Sequence, residues 1–209
     1  MKNVDDLIEG AQELSQRGLS NGEIADELNV SRETARWLVQ RDTSATGSEQ
    51  RVVGQATDIH VDWSAIGRDS VRLTYVGYAL ANLLGKHRQG IDLVVGIEKA
   101  GTPIATVVAQ ELDADIASYT PRKHQWEGGD IEELDGSFSK NFAQIRERRC
   151  YVVDDTITSG TTMRETISAI RDRGGDPVCG GVLVDKRGVE SLEDVPIYSL
   201  VQAIPVENQ

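Results

Sequence analysis

The sequence predicts two parts of different fold class, a small helical domain followed by an α/β domain with a doubly wound parallel sheet. In the first forty residues, apolar side chains recur at helical spacing. From Val52 onward, short β-branched runs alternate with helical segments, which is typical of a parallel sheet covered by helices. Between the two parts, DTSATGSEQ has the small, polar composition of a linker. The predicted boundaries are 1–41, 42–50 and 51–209.

Composition narrows the class of protein. Of 209 residues, 39% are apolar, which is enough to form a sizeable core. No run is long and apolar enough to span a membrane, and the N-terminus lacks an apolar signal core. Cys150 and Cys179 lie in or beside apolar runs, which favours buried thiols and a cytoplasmic location. The three histidines share no metal-ligand spacing, so no structural zinc site is predicted.

The net charge of −12 is unusual for a protein that binds nucleic acid. Arginine (16 residues) outnumbers lysine (6 residues), and the acidic residues are dispersed along the chain. Dispersed acid with little lysine suits a protein that works in high salt. Ordinary cytoplasmic acidity is the alternative interpretation.

Three helices are predicted before the linker. The first has apolar residues at helical spacing from Val4 to Leu14 and ends at Arg17-Gly18. Ser20 followed by Glu23 is a capping-box pattern that begins the second helix. Ser31 caps the third, which runs to about Arg41.

The segment LSNGEIADELNVSRETARWLVQR resembles the helix-turn-helix of DNA-binding regulators. This resemblance makes the third helix the recognition helix, with Trp37 as a packing residue. Residues 1–41 contain eight acids and five bases, so specific binding would rely on local arginines and on dimerisation. The alternative is a trihelical packing or dimerisation module. The predicted DNA contacts are Ser31, Arg32, Glu33, Thr34 and Arg36.

The predicted elements of the second part alternate in type. Helices are expected at 70–87, 102–112 and 162–173, and strands at 91–96, 114–119, 150–153 and 178–185, with a last apolar run at 197–204. The polar segment 120–141 lacks a periodic pattern, which is typical of a functional lid or of disorder.

The stretch CYVVDDTITSGTT, Cys150–Thr162, predicts a phosphate-binding site. Asp154 and Asp155 follow a buried strand, at the end where open α/β sheets bind ligands. A hydroxyl-rich turn, Thr158–Thr162, then leads into a helix whose free N–H groups attract an anion. Ribose 5-phosphate would satisfy the carboxylates with its hydroxyls and the turn with its phosphate. An ordinary strand–turn–helix with acids at the strand end is the alternative.

This stretch resembles the signature of type I phosphoribosyltransferases, which bind phosphoribosyl pyrophosphate (PRPP). The resemblance implies that Asp154 and Asp155 hold the ribose hydroxyls. It also implies that a loop after an earlier strand binds pyrophosphate. The implied 5′-phosphate ligands are Thr158, Ser159, Gly160, Thr161 and Thr162, and the implied pyrophosphate ligands are Glu98, Lys99, Ala100 and Gly101.

A third segment resembles the flexible catalytic loop of orotate phosphoribosyltransferases. Arg122 and Lys123 match its Arg-Lys pair, and EGGDIE at 127–132 matches its end. The interval between them is only HQW, and the family's second lysine is absent. Since that lysine would stabilise charge on departing pyrophosphate, ligand binding is expected to survive better than turnover.

Over nearly the whole chain, the sequence resembles the archaeal GfcR family, helix-turn-helix regulators of sugar catabolism with an orotate phosphoribosyltransferase-like domain. The sequence also resembles bacterial purine repressors, but those proteins have a wing hairpin that this sequence lacks. The expected function is a homodimeric transcriptional regulator that binds DNA and senses PRPP or a related phosphorylated metabolite. The competing hypothesis is an active phosphoribosyltransferase that transfers ribose 5-phosphate from PRPP to orotate or a purine with Mg²⁺.

Overall fold

The computed structural model describes residues 4–41, 59–87, 90–122 and 136–203, without the side chain of Glu33. The chain divides into two compact units, and the second begins at Trp63. The predicted linker, 42–50, and Lys123 lie outside the described residues. In the described part of the chain, no helix has both the length and the apolar character needed to cross a membrane.

The first unit contains three helices that begin and end close to their predicted bounds. They are α1 (Val4–Gln16), α2 (Asn21–Glu27) and α3 (Arg32–Gln40). The predicted capping box is confirmed: Glu23 N–H donates to Ser20 Oγ at 3.4 Å, and Ser20 N–H donates to Glu23 Oε2 at 2.8 Å. Both bonds satisfy N–H groups that lack a partner within the helix.

A small apolar core joins these three helices. Trp37 packs against this core, and the Arg41 guanidinium lies 4.4 Å from its ring centroid, so its predicted packing role is confirmed. The core residues are Leu7, Ile8, Ala11, Ile24, Ala25, Leu28, Val30, Ala35 and Leu38.

The second unit is an α/β fold, as predicted. Its sheet has the order β3-β2-β1-β4-β5-β7-β6, in which the five central strands are parallel and the two short edge strands are antiparallel to their neighbours. Three short elements, α4, β3 and β6, were not predicted, because two to four residues show no periodicity. The elements are α4 (Ser64–Gly67), α5 (Ser70–His87), β1 (Leu93–Ile97), α6 (Gly101–Glu111), β2 (Asp115–Thr120), β3 (Ser137–Phe138), β4 (Arg149–Ile157), α7 (Thr161–Asp172), β5 (Asp176–Asp185), β6 (Ser191–Leu192) and β7 (Val195–Gln202).

Helices cover both faces of this sheet. Ile167 of α7 packs in a fully buried cluster with Val95 of β1 and Val152 of β4. Tyr151, the neighbour of Val152, donates its hydroxyl to the Leu84 carbonyl of α5 at 3.3 Å. Because consecutive strand residues point to opposite faces, these contacts put α7 and α5 on opposite sides of the sheet. This is the doubly wound arrangement.

The chain order reverses between β1 and β4. From β1 the sheet extends through β2 in one direction, and from β4 it extends through β5 and β7 in the other. Gly96 of β1 lies beside Val153 of β4, so β1 ends beside the acidic part of β4. Strand β4 continues to Ile157, so Asp154 and Asp155 lie within the strand, and not after it as the sequence predicted. Such a switch point is where open α/β sheets bind ligands.

We expect Leu84→Ala to lower the free energy of unfolding by about 2–5 kcal/mol, because it empties a fully buried site in α5. The site is close-packed: a Cβ added at Gly181 of β5 would lie only 2.8 Å from Leu84 Cδ1. Urea unfolding in concentrated KCl measures the change. Val201→Ala is the control, since Val201 is 56% exposed and its truncation should change the unfolding free energy by less than about 0.5 kcal/mol.

Candidate ligand site

The loop after β1 packs against the second half of strand β4. A Cβ added at Gly101 would lie 2.5 Å from the Val153 carbonyl oxygen and 2.9 Å from Asp154 Cα. Real Cβ atoms do not come this close to backbone, so the contact requires glycine at this position. The predicted pyrophosphate loop therefore lies directly against the acidic end of β4.

The two adjacent carboxylates have different surroundings. Asp154 is partly exposed, and its Oδ1 accepts a hydrogen bond from the Asp155 N–H at 2.9 Å. Asp155 is buried, and its Oδ2 accepts from Trp63 Nε1 at 2.8 Å and from Thr156 Oγ1 at 3.3 Å. Sequence reasoning missed Trp63, since a single tryptophan in a segment without a motif gives no signal.

The predicted phosphate loop joins β4 to α7. Gly160 has φ 73° and precedes the first residue of the helix, in a conformation that favours glycine. Ser159 and Thr161 are exposed, and their hydroxyl oxygens lie 2.9 Å apart. The first N–H groups of a helix lack acceptors within it, so the start of α7 with these hydroxyls is suited to an anion.

Glu98 holds the loop after β1 against β2. Its Oε1 accepts from Ser118 Oγ at 2.5 Å, its Oε2 accepts from Thr120 Oγ1 at 2.7 Å, and the peptide bond that follows it is cis. Its N–H also donates to the Tyr119 carbonyl at 2.9 Å. The carboxylate therefore fixes the loop, while Lys99 is exposed beside it. Ligand contact by Glu98, Lys99 and Ala100 stays a prediction.

Glu165 of α7 fixes the start of the predicted catalytic loop. Its Oε1 accepts from the Tyr119 hydroxyl and from the Arg122 N–H, each at 2.9 Å. Burial, and then the hydrogen bond to Glu165, raise the pKa of the Tyr119 hydroxyl well above its usual value, so it stays a donor. Arg122 itself is exposed. Sequence reasoning missed Glu165 because it lies beyond the recognised signature.

The carboxyl end of β5 adds a second buried carboxylate beside the site. Asp185 is 2% exposed and accepts three backbone hydrogen bonds, from Arg187, Gly188 and Val189. The Lys186 N–H donates to the Ile157 carbonyl at 3.0 Å, which holds this turn against the end of β4. The lysine side chain is also buried.

The described residues contain no group of three or more His, Cys, Asp or Glu side chains that would form a metal cage. Mg²⁺ commonly binds instead through one or two carboxylates together with substrate phosphates. The oxygen atoms of Asp154 and Asp155 suit that mode.

The predicted DNA-contact residues lie on α3 and at its start. The Ser31 hydroxyl accepts from the Thr34 N–H at 3.1 Å, so Ser31 caps the helix as predicted. Arg32, Arg36 and Gln40 are exposed at positions i, i+4 and i+8, which share one helix face. The arginine side chains are therefore accessible, whereas the Ser31 hydroxyl is engaged within the helix start.

Comparisons with known proteins agree with this architecture. A family model for the phosphoribosyl transferase domain matches residues 62–209. Transcriptional regulator GfcR of Haloquadratum walsbyi is 65% identical over 100% of this chain and 96% of its own length. The chain belongs to the GfcR family. The GfcR regulators of Haloferax volcanii and Methanocella arvoryzae are 57% and 43% identical, and the matches cover at least 97% of each chain.

Solved structures extend the fold comparison beyond GfcR proteins. Orotate phosphoribosyltransferase from Aeropyrum pernix matches with a TM-score of 0.58 and 22% identity, over 71% of this chain and 81% of that one. Adenine phosphoribosyltransferase from Rhodothermus marinus matches with a TM-score of 0.54 and 22% identity, over 69% and 87%. At these identities the likeness establishes the fold of the second unit.

We expect Gly101→Ala to lower the free energy of unfolding by about 1–3 kcal/mol, because the new methyl group meets immobile backbone of β4. Thermal unfolding with and without ligand measures the effect. Gly85→Ala in α5 is the matched control: its Cβ would find ordinary contact at 3.6 Å from Leu112 Cδ2. That control should be neutral or should stabilise the helix by about 0.5–1 kcal/mol. Equal unfolding free energies for the two variants would contradict the close approach.

Proposed function

We propose that this protein is a DNA-binding transcriptional regulator of central sugar metabolism whose α/β unit binds PRPP or a related phosphorylated metabolite. One observation carries the ligand half of the proposal: Gly101, which ends the loop after β1, lies against Val153 and Asp154 of β4, the strand that leads into the helix start at Gly160. Regulation of transcription is supported by the names of the relatives, and sugar metabolism by the resemblance noted in the sequence.

The site offers a different chemistry to each end of a phosphorylated sugar. Asp154 and Asp155 provide carboxylate acceptors for vicinal hydroxyl groups. The start of α7, with Ser159 and Thr161, provides donors for a terminal phosphate. Lys99 and Arg122 are exposed cations for a second phosphate group, and Mg²⁺ would accompany a diphosphate.

The DNA half of the proposal rests on α3, as the recognition helix of a helix-turn-helix. Because the first 41 residues carry more acids than bases, one copy would bind DNA weakly. A homodimer that binds two half-sites would overcome this weakness. Val71, Tyr75 and Tyr78 support a dimer, since they form an exposed apolar stripe at positions i, i+4 and i+7 of α5.

An active phosphoribosyltransferase is the second candidate function, and the intact signature Cys150–Thr162 favours it. Transfer of the ribose 5-phosphate requires additional stabilisation of the leaving pyrophosphate. The sequence retains Arg122 and Lys123 but lacks the second lysine of the catalytic loop. Loss of one such cation costs a few kcal/mol of transition-state stabilisation. We therefore expect the protein to bind the ligand without catalysing the transfer.

We expect labelled PRPP with Mg²⁺ to bind saturably in concentrated KCl without base-dependent release of pyrophosphate. Binding and release are counted together while orotate and purine bases are added in turn. Asp155→Asn keeps the shape of the side chain but removes the charge, and should weaken binding by about tenfold or more. Arg146→Ala, an exposed change in the same unit, should leave binding unchanged.

Pyrophosphate release that requires a base would establish the second candidate and would contradict a regulator without transferase activity. If the Asp155→Asn variant bound PRPP as tightly as the parent, the assignment of Asp155 to the ribose hydroxyls would be wrong. Binding that the variant weakens, without turnover, would support a sensing role.

We expect Arg36→Ala to weaken specific DNA binding by about tenfold or more, because a bidentate arginine contact contributes about 1–3 kcal/mol of discrimination. The probe is a duplex selected by the parent protein from a random library in concentrated KCl, and fluorescence anisotropy measures affinity. Ser31→Ala should instead lower the stability of the first unit by about 1 kcal/mol, since it removes the cap of α3. If Arg36→Ala bound the duplex as the parent does, α3 would not be the recognition helix.

A further inference from the structure

We propose that Trp63 is a latch on the candidate ligand site: its indole N–H holds the Asp155 carboxylate, and a sugar hydroxyl that takes the same oxygen releases the ring. This inference rests on the sugar-phosphate site proposed above. It adds a route by which ligand binding at that site changes the rest of the protein. It assigns a positioning role to a residue that no sequence motif identified.

The contact is well placed for competition with a sugar. Trp63 Nε1 lies 2.8 Å from Asp155 Oδ2, which also accepts from Thr156 at 3.3 Å. A hydrogen bond to a carboxylate is among the stronger ones in a protein, and here it is partly shielded from water. A ligand hydroxyl aimed at the same oxygen must therefore displace an existing donor.

The indole ring also packs against the backbone of α4. It folds over Gly67, where an added Cβ would lie 2.6 Å from Trp63 Cζ3. The Trp63 carbonyl accepts from the N–H groups of Ile66 and Gly67 at 2.8 and 3.2 Å, which closes the single turn of α4. The short helix and the indole therefore form one small assembly next to Asp155.

The chain after this assembly is anchored. Asp69 Oδ1 accepts from the N–H groups of Val71 and Arg72, each at 3.0 Å, and so caps the start of α5. The charge and the hydrogen bonds lower the pKa of Asp69, with the Arg72 N–H as the largest cause, so the cap stays ionised near neutral pH. Helix α5 then packs on α6, β5 and β7. Displacement of Trp63 should therefore leave the residues that follow it in place.

The chain before Trp63 belongs to the other compact unit. Trp63 is the first residue of the second compact unit, and Asp62 belongs to the first. Release of the indole would therefore act on the segment that connects the α/β unit to the three-helix unit. A ligand shifts such an equilibrium only by binding one state more tightly, and competition for Asp155 Oδ2 supplies that difference.

The first test compares Trp63→Phe with the parent in concentrated KCl, with PRPP and Mg²⁺ as the ligand and the selected duplex as the reporter. Phenylalanine keeps an aromatic ring but has no N–H. We expect PRPP to bind about tenfold more tightly, because the shorter of the two hydrogen bonds to Asp155 Oδ2 no longer has to be displaced. We also expect PRPP to lose its effect on DNA affinity, since the variant is already released.

Thr156→Val is the matched control. It removes the other donor to the same oxygen, at a position in β4 that is about 90 residues from α4 along the chain. This variant should change PRPP affinity by less than about threefold, since its hydrogen bond is long, and should keep the effect of PRPP on DNA binding. Loss of that effect in Thr156→Val as well would assign the response to Asp155 in general and overturn the role of Trp63.

A second test leaves Trp63 in place. With Trp37 and Trp126 replaced by phenylalanine, the emission of Trp63 should shift to longer wavelength when PRPP or ribose 5-phosphate binds. Inorganic phosphate, which has no sugar hydroxyls, should bind without this shift. Gly67→Ala pushes on the ring and should produce part of the shift before any ligand is added.

The outcomes separate this inference from the function on which it rests. If PRPP bound the parent and altered its DNA affinity, but Trp63→Phe behaved identically, the latch would be wrong and the regulator would stand. Weaker PRPP binding by Trp63→Phe would make Trp63 a support of the occupied site and would likewise reject the latch. If neither PRPP nor ribose 5-phosphate bound the parent, both proposals would fall.

Discussion

The close approach of Gly101 to the end of β4 is the constraint on which the ligand site depends. With 2.5 Å between a hypothetical Cβ and the Val153 carbonyl oxygen, the turn after β1 has no room for a side chain at this point. The reversal of strand order brings the two strands together, and glycine then allows their loops to touch. Glu98 and Glu165 complete the arrangement by fixing the turn after β1 to β2, and the end of β2 to α7.

Much of this arrangement was readable from the sequence because it depends on local patterns. The fold class, the bounds of α5 and the carboxylates of β4 each follow from a contiguous run of residues. Trp63 was not predictable, since its partner Asp155 lies 92 residues away in the chain. Glu98 was expected to contact the ligand, and only its hydrogen bonds to Ser118 and Thr120 revealed its part in holding the loop.

The ligand site and the proposed DNA-binding face have different electrostatic designs. At the candidate ligand site, the carboxylates of Asp154 and Asp155 lie on the strand that leads into a helix start, which attracts negative charge. On α3, Arg32 and Arg36 stand on a unit that is acidic as a whole. In the proposed function, attraction between that unit and DNA is confined to a few side chains, which favours discrimination between sequences over general affinity.

The edge strands of the sheet limit association between copies of this acidic protein. Concentrated salt screens the repulsion between negatively charged copies, so charge protects them less from association than it would in dilute buffer. Long, flat edge strands would then offer unpaired backbone groups to a neighbouring molecule. Among the described strands, β3 and β6 end the sheet with only two residues each. The short edge strands thus limit strand pairing between molecules by their geometry. This protection does not depend on ionic strength.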